Sequence, residues 1–99
     1  MHKVIIIDDE KPTLFMFNLF LDAFGYQVIT AENADAGIEL FKKERPSIVF
    51  TDIKMPGTDG LEVLKILKSI EPKVQVIVMT GHGDQDLAKQ AMELNATAF

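Results

Sequence analysis

The stretch I-V-F-T-D-I-K-M-P-G-T-D-G, Ile48 to Gly60, decides how this chain is read. Three apolar residues and a threonine lead into Asp52, and Met55-Pro56-Gly57 follows at once. The acid therefore stands where a buried strand stops and a turn begins. A carboxylate so placed belongs to the edge of a sheet. In open α/β sheets the carboxyl edge of the strands is where ligands gather. The other groups that the fold brings to Asp52 therefore set its chemistry.

Upstream, Val4 to Ile7 is four β-branched residues without alternation, the pattern of a strand covered on both faces. Asp8-Asp9-Glu10 ends it abruptly. Pro12 suits the first turn of a helix that spans Thr13 to Phe24 and stops at Gly25. Gln27 to Ala31 reads as a second strand, and Asn33 can cap a helix from Ala34 to Glu44 that Pro46 ends. Downstream, Leu61, Leu64 and Leu67 recur at helical spacing through Ser69, and Pro72 closes that helix. Val74 to Met79 is a fourth strand, Thr80 to Asp84 a loop, Leu87 to Leu94 a helix, and Ala96 to Phe99 opens a fifth strand. This alternation predicts an α/β fold: βαβ units with right-handed crossovers, building a doubly wound parallel sheet with helices on both faces.

Ninety-nine residues at 47% hydrophobic content suit one core, so residues 1–99 are read as one domain. A formal charge of −5 argues against this domain holding nucleic acid or an anionic membrane. The absence of cysteine excludes a disulfide scaffold, a thiol nucleophile and a thiolate zinc site. The run Val4 to Ile7 is too short for a signal peptide or a membrane span, and a cytoplasmic domain is expected.

The Thr13–Phe24 helix is apolar almost all round, whereas a surface helix needs an apolar stripe of only about 100°. With Met16, Phe17, Phe20 and Phe24 facing the sheet, Leu14, Phe15 and Leu19 point outward and form a docking surface. A thicker core, or an extra packing partner in the full protein, is the plainer alternative.

Asp8 and Asp9 follow the first strand, Asp52 the third, and Thr80 the fourth. A doubly wound order that sets the first strand beside the third brings the three acids together. Such acids resist joint ionisation without a cation. Oxygen ligands with no Cys and no paired His favour a hard ion such as Mg²⁺. Asp52 is then either a ligand only or a nucleophile that accepts a phosphoryl group, with Thr80 as a hydroxyl donor to it.

The runs I-I-I-D-D-E (Ile5–Glu10), T-D-I-K-M-P-G-T-D-G (Thr51–Gly60) and M-T-G-H (Met79–His82) resemble, in order and across essentially the whole chain, the response-regulator receiver domains of two-component signalling. The resemblance implies a flavodoxin-like strand order 2-1-3-4-5. It makes Asp52 the phosphoacceptor and places Asp8, Asp9, Asp52 and the backbone carbonyl of Lys54 around Mg²⁺, with Mn²⁺ as an alternative ion. Thr80 becomes the switch that binds the phosphoryl group, Phe99 the aromatic switch, and Lys54 and His82 positions that affect phosphoryl lifetime. Leu14, Phe15 and Leu19 fall on the helix that receivers dock to a histidine kinase or histidine phosphotransfer domain, and a homodimer is a further partner. The implied role is a signalling phosphoacceptor, with Mg²⁺-dependent self-phosphorylation and autodephosphorylation in place of enzymatic turnover.

One departure stands out. Receivers carry a Lys-Pro pair after the last strand, and here the only such pair is Lys11-Pro12. The fold is accordingly expected to have a truncated last strand and no final helix. A phosphorylation-independent interaction module is the rival reading. An aspartate-based phosphatase wants a second acid where Lys54 stands, and a flavin domain wants a phosphate loop where Asp8-Asp9-Glu10 repels phosphate.

Overall fold

Strand and helix alternate strictly along the computed structural model, which describes residues 2–52 and 59–79. The elements are β1 (Lys3–Ile7), α1 (Lys11–Ala23), β2 (Gln27–Ala31), α2 (Ala34–Glu44), β3 (Ile48–Asp52), α3 (Gly60–Ile70) and β4 (Gln75–Met79). All strand pairs are parallel and the order is β2-β1-β3-β4, as expected for the first four strands. The expected fifth strand and the helix over Leu87–Leu94 lie outside the described residues. Among the described residues, no helix is long and apolar enough to cross a membrane.

Parallel strands need crossovers, and the helices that supply them bury the sheet from both sides. On one face Ile5, Ile7, Val49, Val76 and Val78 pack against α2 and α3 through Ile38, Phe41, Val63, Leu64 and Leu67. On the other, Val4 and Ile6 meet α1 through Leu14. β1 therefore has both faces covered, which explains its unbroken β-branched run.

The helix ends follow from local chemistry. Asn33 Oδ1 accepts the Ala36 N–H at 2.8 Å and caps α2. Asp59 Oδ1 accepts the Glu62 N–H at 2.9 Å, so α3 begins at Gly60, one residue before the expected Leu61. At the end of α2, Arg45 takes a left-handed conformation (φ 48°), its N–H donating to the Phe41 carbonyl at 2.9 Å as at a left-handed helix stop, and Pro46 keeps the helix from continuing. α1 closes on Gly25 (φ 89°), whose N–H donates to the Asp22 carbonyl while the Tyr26 N–H donates to the Leu21 carbonyl. That doubly bonded turn is a Schellman motif, and glycine suits its left-handed position.

α1 differs from the sequence expectation in phase. Leu14 is only 6% exposed and packs with Val4 and Ile6, so it does not belong to an outward surface. Met16, Phe20 and Phe24, expected on the sheet, are 61%, 61% and 68% exposed. Phe15 and Leu19 do point outward, and Phe17 does face the sheet, its ring 5.7 Å from that of Phe50. The inward stripe is Leu14, Phe17 and Leu21, one turn-phase away from the one expected. With apolar residues on every side, helical spacing alone could not choose between them.

Candidate functional site

The β1–β3 ladder brings the acids together. Its last pair is Ile7 with Thr51, so one step further along both strands stand Asp8 and Asp52. The period of two then puts both acids on the α1 side, since Ile7 and Thr51 turn their side chains toward α2 and α3. Carboxylate oxygens of Asp8, Asp9 and Asp52 all lie within 4.8 Å of one another. The cluster is graded in exposure: Asp8 is buried, Asp52 half-buried and Asp9 exposed.

Backbone bonds hold this edge in place. The Asp8 N–H donates to the Ala31 carbonyl at 3.0 Å, continuing the β1–β2 ladder past Ile7. The Glu10 N–H donates to Asp8 Oδ1 at 2.9 Å, turning the chain from strand toward α1 while aiming that carboxylate. The buried Thr51 hydroxyl donates to the Asp52 carbonyl at 3.2 Å. The contribution of Glu10 was not foreseen. An Asp three residues before a helix start is the signal for such a turn, because its side chain can accept a backbone N–H two positions on.

Burial is the main reason that the Asp8 carboxyl is pushed above its ordinary pKa; the Glu10 N–H opposes the shift, and the charges of Asp52, Asp9 and Glu10 add to it. Asp8 and Asp9 form no ion pair with a described residue. A donor set made only of carboxylate oxygens, all within 4.8 Å of one another, fits a hard divalent cation. The site can therefore hold a cation against a half-buried carboxylate, Asp52, that faces solvent enough to react. Of the other residues expected at the site, Lys54, Thr80, His82 and Phe99 lie outside the described residues.

Comparison with known proteins agrees with this geometry. Residues 4–99 match the family described as response regulator receiver domain. The chain is 37% identical over 94 residues to sporulation initiation phosphotransferase F of Bacillus subtilis, covering 95% of this chain and 76% of that protein. It is 35% identical over 96 residues to the transcriptional regulatory protein FixJ of Bradyrhizobium diazoefficiens, covering 97% of this chain but 47% of that longer protein. Among solved structures, a response regulator receiver domain protein from Clostridium thermocellum superposes with a TM-score of 0.95 at 36% identity, over 99% of this chain and 79% of that one. With the parallel 2-1-3-4 sheet and the three acids at its carboxyl edge, the chain belongs to the response regulator receiver domains, phosphoacceptors of two-component signalling.

Proposed function

We propose that Asp52 is the residue that accepts the phosphoryl group, supplied by a histidine kinase or a histidine phosphotransfer domain in the cytoplasm. The observation that carries this is the convergence of Asp8, Asp9 and Asp52 within 4.8 Å at the end of β1 and β3. Asp52 is the member that is neither buried like Asp8 nor fully exposed like Asp9, and it ends a strand held rigid on both sides by β1 and β4. A rigid half-buried carboxylate is suited to in-line attack. An Asp52 oxygen bonds to phosphorus as the phosphorus–nitrogen bond of a phosphohistidine breaks, and the electron pair leaves with the imidazole nitrogen. Water later attacks the phosphorus, the acyl oxygen–phosphorus bond breaks, and carboxylate and inorganic phosphate are restored.

Asp8, Asp9, Asp52 and the Lys54 carbonyl would hold Mg²⁺, or Mn²⁺ in its place. Such an ion neutralises charge on the transferring oxygens. Asp8 is aimed by the Glu10 N–H; its pKa is raised chiefly by burial and further by the neighbouring acids, whose charge a cation would offset. Thr80 and Phe99 are assigned, through the family resemblance, to sensing the phosphoryl group. Phe15 and Leu19 are assigned to partner docking, without Leu14, which is buried. Incubation with Mg²⁺ and a small acyl-phosphate donor should add one phosphoryl group by intact mass, and Asp52→Asn should abolish it. Retention of the added mass in Asp52→Asn would refute the assignment.

A further inference from the structure

The face of α1 turned away from Leu14, Phe17 and Leu21 carries Lys11, Phe15, Leu19 and Asp22 in line, at the i, i+4, i+8, i+11 spacing that follows one side of a helix. Phe15 and Leu19 are 66% and 61% exposed. From Pro12 to Leu21 the helix has no charged residue at all, so Lys11 and Asp22 bracket an uncharged stripe roughly 16 Å long. Asp22 forms no ion pair with a described residue, and Lys11 has only an exposed partner, Glu32, at 3.6 Å. A pair so exposed is too weak to hold Lys11 away from another acid.

This stripe is complementary to itself in one direction only. We propose that a second copy of this chain docks antiparallel along it, so that Lys11 meets the partner's Asp22, Phe15 meets the partner's Leu19, and each contact occurs twice about a two-fold axis. That is the reciprocity an isologous interface requires. Parallel docking would instead set Lys11 against Lys11 and Asp22 against Asp22. One helix pair buries less than a standard interface, so the dimer is weak, with a dissociation constant on the order of 100 μM. Phe15 and Leu19 also carry the kinase contact assigned above, and dimerisation withholds them from that partner. The self-association itself needs no kinase, so its test stands apart from the phosphotransfer reading.

Sedimentation equilibrium on the protein, with Lys11→Glu, Asp22→Lys and the double variant, tests the register. Each single change puts like charges opposite each other in the dimer and should weaken it by about tenfold or more. Both changes suit the helix dipole, with an acid in the first turn and a base in the last, while Lys11→Glu also sets two acids at the exposed Glu32 contact, so thermal melts of each variant beside wild type separate weakened association from unfolding. The double variant exchanges the two ends and should recover the wild-type association. A double variant as weak as the singles, singles that associate like wild type, or a wild type still monomeric at about 1 mM each overturns the proposal. In the last case, if Phe15→Arg lowers phosphotransfer, the stripe belongs to the kinase alone.

Discussion

Asp8 carries a cost that the rest of the site is built to tolerate. Its pKa is raised mainly by burial, so the folded protein binds that proton more tightly than the unfolded chain does. The stability this contributes is fully present below the unfolded pKa and is lost as pH rises through the higher folded value. At neutral pH, without metal, ionised Asp8 therefore weighs against the fold. Asp8→Asn removes the charge but keeps an Oδ1 that can accept the Glu10 N–H. In metal-free protein at neutral pH it should raise the melting temperature by a few degrees, with the gain shrinking as pH falls into the acid range. Saturating Mg²⁺ should narrow the gap, because the ion stabilises the wild type to a greater extent. Calorimetry across pH with and without Mg²⁺ reads both effects, and a metal-free Asp8→Asn that melts below wild type at pH 7 would contradict them. All three acids were legible in the sequence as a set: each alone would more often be a turn or a helix cap, and the signal lies in their joint placement after the first and third strands. The Glu10 clamp is less legible: its only sequence signal is the acceptor, Asp8, because the donor is a backbone N–H that any residue but proline supplies.

Among the elements, the strands and the capped helices were the legible part. Asn33, placed one residue before an amphipathic run, fixes the start of α2, and Val4–Ile7 can be little other than a two-sided strand. α1 was legible as a helix but not in its rotation, because eight apolar residues leave no polar face to point at water. The deciding information sat at its end. Gly25 forces a turn in which Leu21 and Tyr26 come together on the core side, and Leu21 in turn carries Phe17 and Leu14 with it at helical spacing. α2 shows a second constraint that spacing does not reveal. A Cβ at Gly37 would run into the Ile7 side chain, which is fully buried. Replacing a helical glycine with alanine ordinarily gains up to about 1 kcal/mol, whereas overpacking a rigid core costs about 1–3 kcal/mol. Gly37→Ala should therefore lose on the order of 1 kcal/mol net. Ile7→Ala removes both Cδ1 and Cγ1, the two atoms that the new Cβ would meet, so the double variant should be more stable than the sum of the two single losses. Urea unfolding of all three measures that coupling, and strict additivity would show that the clash is relieved elsewhere.

Among the described residues, the two faces of the sheet are unequally fastened. Against α2 and α3 the described core includes fully buried Ile5, Ile7, Phe41, Val49, Val63, Leu64 and Leu67. Against α1 the buried members are Val4, Ile6 and Leu14, ringed by Phe17, Leu21, Tyr26, Val28, Ile48, Phe50 and Met79, which remain partly exposed. Each of those side chains gains only part of the roughly 1.5–3 kcal/mol that full burial of a large apolar side chain supplies. α1 also has no side-chain cap at Glu10, no acid in its first turn and no base in its last, so it draws little from capping or from its dipole. It should therefore open as a unit while β1, β3 and α3 stay closed. Such an opening would reach the site, because Asp8, Asp9 and Glu10 are the loop that joins β1 to α1 and the Leu14 N–H bonds back to the Glu10 carbonyl at 3.2 Å. Native-state hydrogen exchange, at concentrations below any self-association, should give lower opening free energies for amides between Phe15 and Leu21 than for those of Leu64 and Leu67. Mg²⁺ should raise the former more than the latter, by ordering the acids from which α1 departs. Amides of α1 that exchange only through global unfolding would show that the thinner face is fastened as firmly as the other, and would separate the acidic site from the motion of the helix beside it.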